Sequence, residues 1–249
     1  KARFTTADDQ MAYNTVADLP GTSKKDEWVV LGAHLDSWHS GTGAADNAAG
    51  VAVMMEAMRI LKASGLKTKR SIRIGLWSGE EQGLLGSAAF VSKHYAELPE
   101  PTDPKLKDLP RSLQDNPSKP VLKPAHAKVS VYFNYDNGGG KIRGIYAQEN
   151  LAAAEVFRQW FSPLSDLGVS TVTNRNTGST DHISFDRVGI PGFQFVQDNL
   201  DYFSQVHHTH LDGMDHIQAE DLRQSAVVVA SLAYLAANRD ELLPRKPMP

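Results

Sequence analysis

Two adjacent glutamates, Glu80 and Glu81, stand in "WSGEEQG", directly behind the apolar run "SIRIGLW" (Ser71 to Trp77). Neighbouring carboxylates repel, so a chain that sets both at the end of a buried strand needs solvent or a cation beside them. Other acids and imidazoles recur in comparable places. His34 and Asp36 follow "EWVVLGA", Asp46 lies in "GTGAADNAAG", Asp136 follows "KVSVYFNY", and "HHTHLD" (His207 to Asp212) comes after "GFQFV". The chain has no cysteine, so any metal would be held by nitrogen and oxygen alone, a set that suits zinc, with cobalt or manganese as substitutes. Two divalent cations roughly 3.5–4 Å apart can share a carboxylate and a water, and both polarise an oxygen between them. In such a site one glutamate of the pair binds a cation while its neighbour serves as general base. Asp36 is expected to accept the second ring N–H of His34 and so fix its tautomer.

Each residue taken alone also has an ordinary explanation. Asp46 could cap a helix, Asp136 could make an Asx-turn ahead of "NGGG", and the glutamate pair could be a solvated turn. In "HHTHLDGMDH" four histidines compete, His207, His208, His210 and His216. Position decides between these readings. "EWVVLGA", "SIRIGLW", "KVSVYFNY" and "GFQFV" are β-branched, apolar runs of strand length, with "MAYNTVADL" and "KIRGIYA" as further candidates. Between them "NAAGVAVMMEAMRILKAS", "LAAAEVFRQWFSPL" and "AEDLRQSAVVVASLAYLAANRDEL" follow helical periodicity. Alternating strands and helices predict an α/β fold in three layers, α/β/α, around a central mixed, mostly parallel sheet. Ligands of such sheets gather beyond the carboxyl ends of the strands. Every acid and imidazole named above follows a strand, so all converge on one edge.

From Glu97 to His126 the chain holds seven prolines. Their fixed φ angles and missing donors are expected to exclude a helix or a central strand there, leaving a surface excursion. With 249 residues and no new start after it, the chain is expected to form a single domain over 1–249. A net charge of −3 without a basic cluster argues against nucleic acid as a partner. No apolar run approaches the roughly 20 residues of a membrane span, and no signal peptide is expected among these residues.

Taken in order, "HLDSW", "GAADNAAG", "WSGEEQGLLGS", "FNYDNGGG", "STDHISFDRVGIPGFQF" and "HHTHLD" resemble the M28 family of zinc metallopeptidases, from about Tyr13 to the final helix. The resemblance implies a phosphorylase/hydrolase-like fold and a two-zinc exopeptidase. It assigns His34 and Asp136 to one Zn2+, Glu81 and His208 to the other, Asp46 to both, Glu80 as general base, Asp36 as the acid orienting His34, and a cis Asp46-Asn47 peptide. Asp181, His182, His207 and Asp212 are left as candidates for supporting the ligands or touching substrate. Many relatives carry tyrosine where His207 stands. The resemblance further implies short peptides as substrate, an aminopeptidase as the preferred activity, a secreted or periplasmic location, and an upstream region absent from this chain. A carboxypeptidase or dipeptidase is the first alternative, with Arg143 or Arg175 as the cation for a substrate carboxylate. A glutaminyl-cyclase-like transferase and a metal-free receptor-like domain rank lower.

Overall fold

The computed structural model describes residues 11–101, 103–107, 109 and 119–247. The strands are β1 (Thr15–Leu19), β2 (Lys24–His34), β3 (Arg70–Trp77), β4 (Ala96–Glu97), β5 (Val121–Leu122), β6 (Val129–Asn134), β7 (Ile142–Tyr146), β8 (Thr171–Thr173) and β9 (Gly192–Gln197). Seven of them form one sheet in the order β1-β3-β2-β6-β9-β7-β8. Strands β3, β2, β6 and β9 run parallel at its centre. The first strand is antiparallel to β3, and β7 is antiparallel to β9. The helices are α1 (Ala49–Ala63), α2 (Leu85–His94), α3 (Pro104–Lys107), α4 (Leu151–Phe161), α5 (His182–Asp186) and α6 (Ala219–Asn238).

Strand side chains alternate between two faces, and each face has its own core. Val29, Leu31, Ile72, Ile74, Val131, Phe133, Phe193 and Phe195 pack with α1, α4 and α6. Val30, Trp77 and Tyr132 point the other way, onto Phe90 and Val91 of α2 and Phe185 of α5. Because both faces are covered, the central strands read as continuous apolar runs. A Cβ on Gly75 would sit 2.1 Å from the ring of Trp77. That close approach is why a glycine interrupts an otherwise bulky strand. Burying side chains of this size contributes roughly 1.5–3 kcal/mol each.

One sequence expectation is corrected. Within the proline-rich stretch, Pro104–Lys107 forms a short helix. Pro104 stands at its first position, where the missing N–H would have had no partner inside the helix. The stretch also forms a two-stranded sheet, β4 with β5, apart from the central one. Residues 102, 108 and 110–118 of the stretch lie outside the described residues.

The parallel strands end together. His34 is the last residue of β2 and pairs with Trp77, the last of β3. Asp136 follows the end of β6 by two residues. The sheet thus delivers the chemistry-bearing residues to one edge.

Candidate metal centre

The Asp46 carboxylate lies between two imidazoles. One oxygen is 3.2 Å from His34 Nε2 and the other 3.5 Å from His208 Nε2. Behind each ring stands a second acid. Asp136 Oδ1 is 3.6 Å from His34 Nε2, and Glu81 Oε2 is 3.1 Å from His208 Nε2. Segments far apart in the chain therefore meet around one carboxylate.

The backbone around Asp46 is fixed from several sides. Asp212 accepts the Ala45 and Asp46 N–H groups at 2.6 and 3.1 Å. Asn47 donates to the Tyr135 carbonyl at 2.8 Å, while its Oδ1 accepts the Gly50 N–H. The Asn47 side chain, not that of Asp46, thus satisfies an N–H in the first turn of α1, and the Asp46 carboxylate stays with the imidazoles. The peptide bond joining Asp46 to Asn47 is cis.

Asp36 acts differently from the sequence expectation. His34 Nδ1 donates to the Asp36 backbone carbonyl at 2.9 Å, with the Asp36 carboxylate 3.7 Å away. That carboxylate instead accepts the N–H groups of Glu80 and Glu81, both at 3.1 Å. Asp36 therefore holds the His34 ring through its main chain and the glutamate turn through its side chain.

The charges are crowded. Burial, and next the carboxylates of Asp136 and Asp181, push Glu80 up to about 10. Burial and Asp46 push Glu81 up to about 7. Burial works to raise Asp136, but the charge of His34 outweighs it, and Asp136 falls to about 2. Burial likewise works to lower His34, yet Asp136 and Asp46 win and hold it well above its ordinary value. The His34 charge is shared among several carboxylates and does not offset them all.

His34 Nε2, Asp46 Oδ2 and Glu81 Oε1 are buried and without a hydrogen-bond partner among the described residues. Unpaired buried polar atoms are costly, and these three belong to one cluster of nitrogen and oxygen donors. That chemistry fits divalent cations such as zinc.

The other candidates separate cleanly. His207 stacks on His208 with ring centroids 3.6 Å apart and lines the adjoining cavity. Asp181 is fully buried at the start of α5, its carboxylate oxygens without a hydrogen-bond partner among the described residues, and burial pushes it up to about 7. His182 is fully buried and donates to the Thr177 carbonyl. His210 is exposed, and His216 pairs with Asp201 at 2.5 Å.

Two contacts lie beyond what the sequence indicates. Trp38 Nε1–H donates to Glu81 Oε2 at 2.8 Å, and its ring lies 5.2 Å from that of His208. Tyr202 lines the cavity, and burial with the Asp136 and Asp46 carboxylates pushes its phenol up, so it remains a donor. "HLDSW" and "DYFSQVHH" display both residues, yet neither spacing shows which carboxylate they reach. Trp38→Phe is expected to weaken metal affinity roughly tenfold by freeing Glu81, with no loss of fold because Trp38 is 43% exposed. Competition against a chromophoric chelator measures this.

The cavity beside the cluster has a volume of about 620 Å³. Glu80, Glu81, Asp46 and Asp136 lie on its floor, with Tyr202, Phe203, His207 and the segment Thr177 to Ser179 around it. Among the described residues no lysine or arginine lines it.

A model of peptidase family M28 matches residues 14–233. The chain is 30% identical to mouse (Mus musculus) carboxypeptidase Q over 237 residues, covering 95% of this chain and 44% of that protein. It is 28% identical to aminopeptidase YwaD of Bacillus subtilis, covering 89% of this chain and 44% of that one. The structure of a peptidase M28 precursor from Shewanella amazonensis SB2B aligns with a TM-score of 0.75 and 32% identity, over 96% of this chain and 47% of that chain. The chain thus spans about half the length of the curated relatives it matches.

Proposed function

The chain belongs to peptidase family M28, and on that premise we propose that it is a metal-dependent exopeptidase, most plainly an aminopeptidase acting on short peptides. The carrying observation is Asp46, whose two oxygens each face a different imidazole backed by its own acid. His34, Asp136 and one oxygen of Asp46 would hold one zinc ion, and His208, Glu81 and the other oxygen a second. Bound there, divalent cations would polarise the scissile carbonyl and acidify a water.

The chain's own groups account for the rest. Glu80, 8% exposed at the cavity floor, takes the proton of the attacking water and delivers it to the leaving nitrogen. Asp36 fixes the Glu80 backbone and with it the direction of that carboxylate. The Tyr202 phenol donates a hydrogen bond within the same cavity.

The acidic floor and the lack of a lining cation among the described residues favour a substrate that brings a free α-amine. A specific observation supports the carboxypeptidase or dipeptidase reading too. The carboxypeptidase Q relative is 30% identical, and exposed Arg175 lies two residues from cavity-lining Thr177. Arg143 does not serve that reading, because Asp198 engages its guanidinium at 2.7–2.9 Å. Aminoacyl-nitroanilides compared with N-acetylated dipeptides, with and without chelator, test the proposal. Cleavage of the free-amine substrates alone, abolished by chelator, is the expected result. Preferential cleavage of the blocked peptides would move the assignment to the carboxypeptidase reading, and chelator-resistant activity would end both.

A further inference from the structure

Gln148 lies outside the cavity, yet it grips the segment that walls it. Its Oε1 accepts the Thr177 N–H at 2.6 Å, and its Nε2 donates to the Thr177 carbonyl at 2.9 Å. The amide therefore pairs with both backbone groups of one residue, as a neighbouring strand would. Burial holds His182 neutral, down to about 4, and its Nε2–H adds a further bond to the same carbonyl at 3.0 Å. Thr177, Gly178 and Ser179 line the cavity, so the wall is fixed from behind by a buried side chain.

The placement of Gln148 is itself unusual. Gln148 and Glu149 take φ values of 49° and 59° in succession, the left-handed region that non-glycine residues seldom occupy. Backbone held this way persists where the surroundings over-determine it, often beside functional sites. Here the surroundings are visible. Lys246 Nζ donates to the Gln148 carbonyl at 3.1 Å and binds Asp186 at 2.7 Å. Glu149 N–H donates to the Asn174 carbonyl at 3.1 Å, which ties the same turn to the start of the wall segment.

We propose that Gln148 is a positioning residue that latches the segment from Asn174 to Ser179 as the wall against which the substrate peptide lies. This rests on the exopeptidase reading and deepens it. A latched wall is ordered before substrate arrives, so binding does not bear the entropy of ordering it. Loosening it should therefore weaken substrate binding and leave the reacting groups in place.

The test compares zinc-loaded wild type with Gln148→Met, which keeps the length and loses the amide, using aminoacyl-nitroanilide kinetics and hydrogen exchange. The expected result is a KM roughly five- to tenfold higher, kcat within about twofold, unchanged zinc content, and faster exchange confined to 174–179. Unchanged KM despite faster exchange, a KM rise without faster exchange, or a fall in kcat with loss of zinc would each overturn the proposal. Should Gln148→Met fail to fold, Lys246→Met is read by the same two measurements. A KM rise of about twofold with faster exchange at 174–179 supports the latch, and no change in either overturns it. A wild-type chain that hydrolyses none of these substrates ends the exopeptidase reading. Unchanged exchange in the variant ends the latch separately.

Discussion

Glu80→Gln is expected to lower kcat by roughly 10²–10⁴-fold, with zinc content and KM within about twofold of wild type. The substitution preserves volume and a carbonyl oxygen but removes the proton acceptor. The imidazoles around Asp46 pair with Asp46, Asp136 and Glu81, and the Glu80 backbone is held by Asp36 rather than by its own carboxylate. The variant should therefore keep the site's shape. Burial and the Asp136 and Asp181 carboxylates push Glu80 up to about 10 when no cation is present. Bound divalent charge acts the other way and brings the carboxylate toward the range a general base needs. Glu81→Gln should behave differently. Its carboxylate stands 3.1 Å from His208, so that variant should lose metal first and activity as a consequence. Measuring zinc content beside single-turnover rates separates the two. A Glu80→Gln protein that keeps more than about a tenth of wild-type kcat would remove Glu80 from the proton path and direct attention to Asp181.

Why so much of this site is legible in the sequence follows from the sheet. Strand runs such as "EWVVLGA" and "SIRIGLW" are apolar on both faces, so they belong in a covered, parallel sheet. Parallel strands share one carboxyl edge, which brings His34, Glu80, Glu81 and Asp136 together without knowledge of loop paths. The loops carry the rest, and there the sequence says less. Which atom of Asp36 meets His34 depends on a turn geometry that "HLD" does not encode, and the carbonyl takes the place expected of the carboxylate. Helix α2 escapes notice because "LGSAAFVSKH" is short and weakly patterned. Pro104 reads as a helix breaker, although a first-position proline permits a helix. Gln148 and Thr177 are separated by 29 positions, and their pairing needs two left-handed residues in a row, for which side-chain chemistry gives no signal.

Removing the metal is expected to destabilise the fold, and to do so more strongly as pH rises. In the metal-free chain Glu81, Glu80 and His34 make stability fall with pH. Asp181, raised to about 7, joins them, and His182, lowered to about 4, opposes them only below about 6.5. Glu81 is raised to about 7 and Glu80 to about 10, both first by burial. Unfolding returns them to the ordinary carboxylate value of 4.5. Above that value the folded chain binds more protons than the unfolded chain, so stability falls as pH rises toward each folded pKa. His34 acts in the same direction. Its raised pKa gives stability that is complete below 6.5 and is lost as pH climbs through the folded value. Asp136, lowered to about 2, supplies stability above its unfolded value of 3.8 and loses it only as pH falls toward 2. It does not enter between about pH 5 and 8.

The zinc-loaded protein should show the opposite slope, since protons compete with the cation for the same atoms. A cation at a thousand times its Kd adds about 4 kcal/mol, or about 10 °C in a chain of this size, so the two melting curves should diverge from about pH 5 to 8. Asp46 gives the sharper discrimination. In the metal-free chain Asp46→Asn removes one of several crowded negative charges and should raise Tm. In the presence of zinc the same change removes the carboxylate that faces both imidazoles and should lower it. Scanning calorimetry of both proteins, with zinc and with chelator at about pH 8, reads the sign directly. A common sign in both conditions would mean that Asp46 is held by packing alone, and that the two imidazoles face it for reasons other than a shared cation.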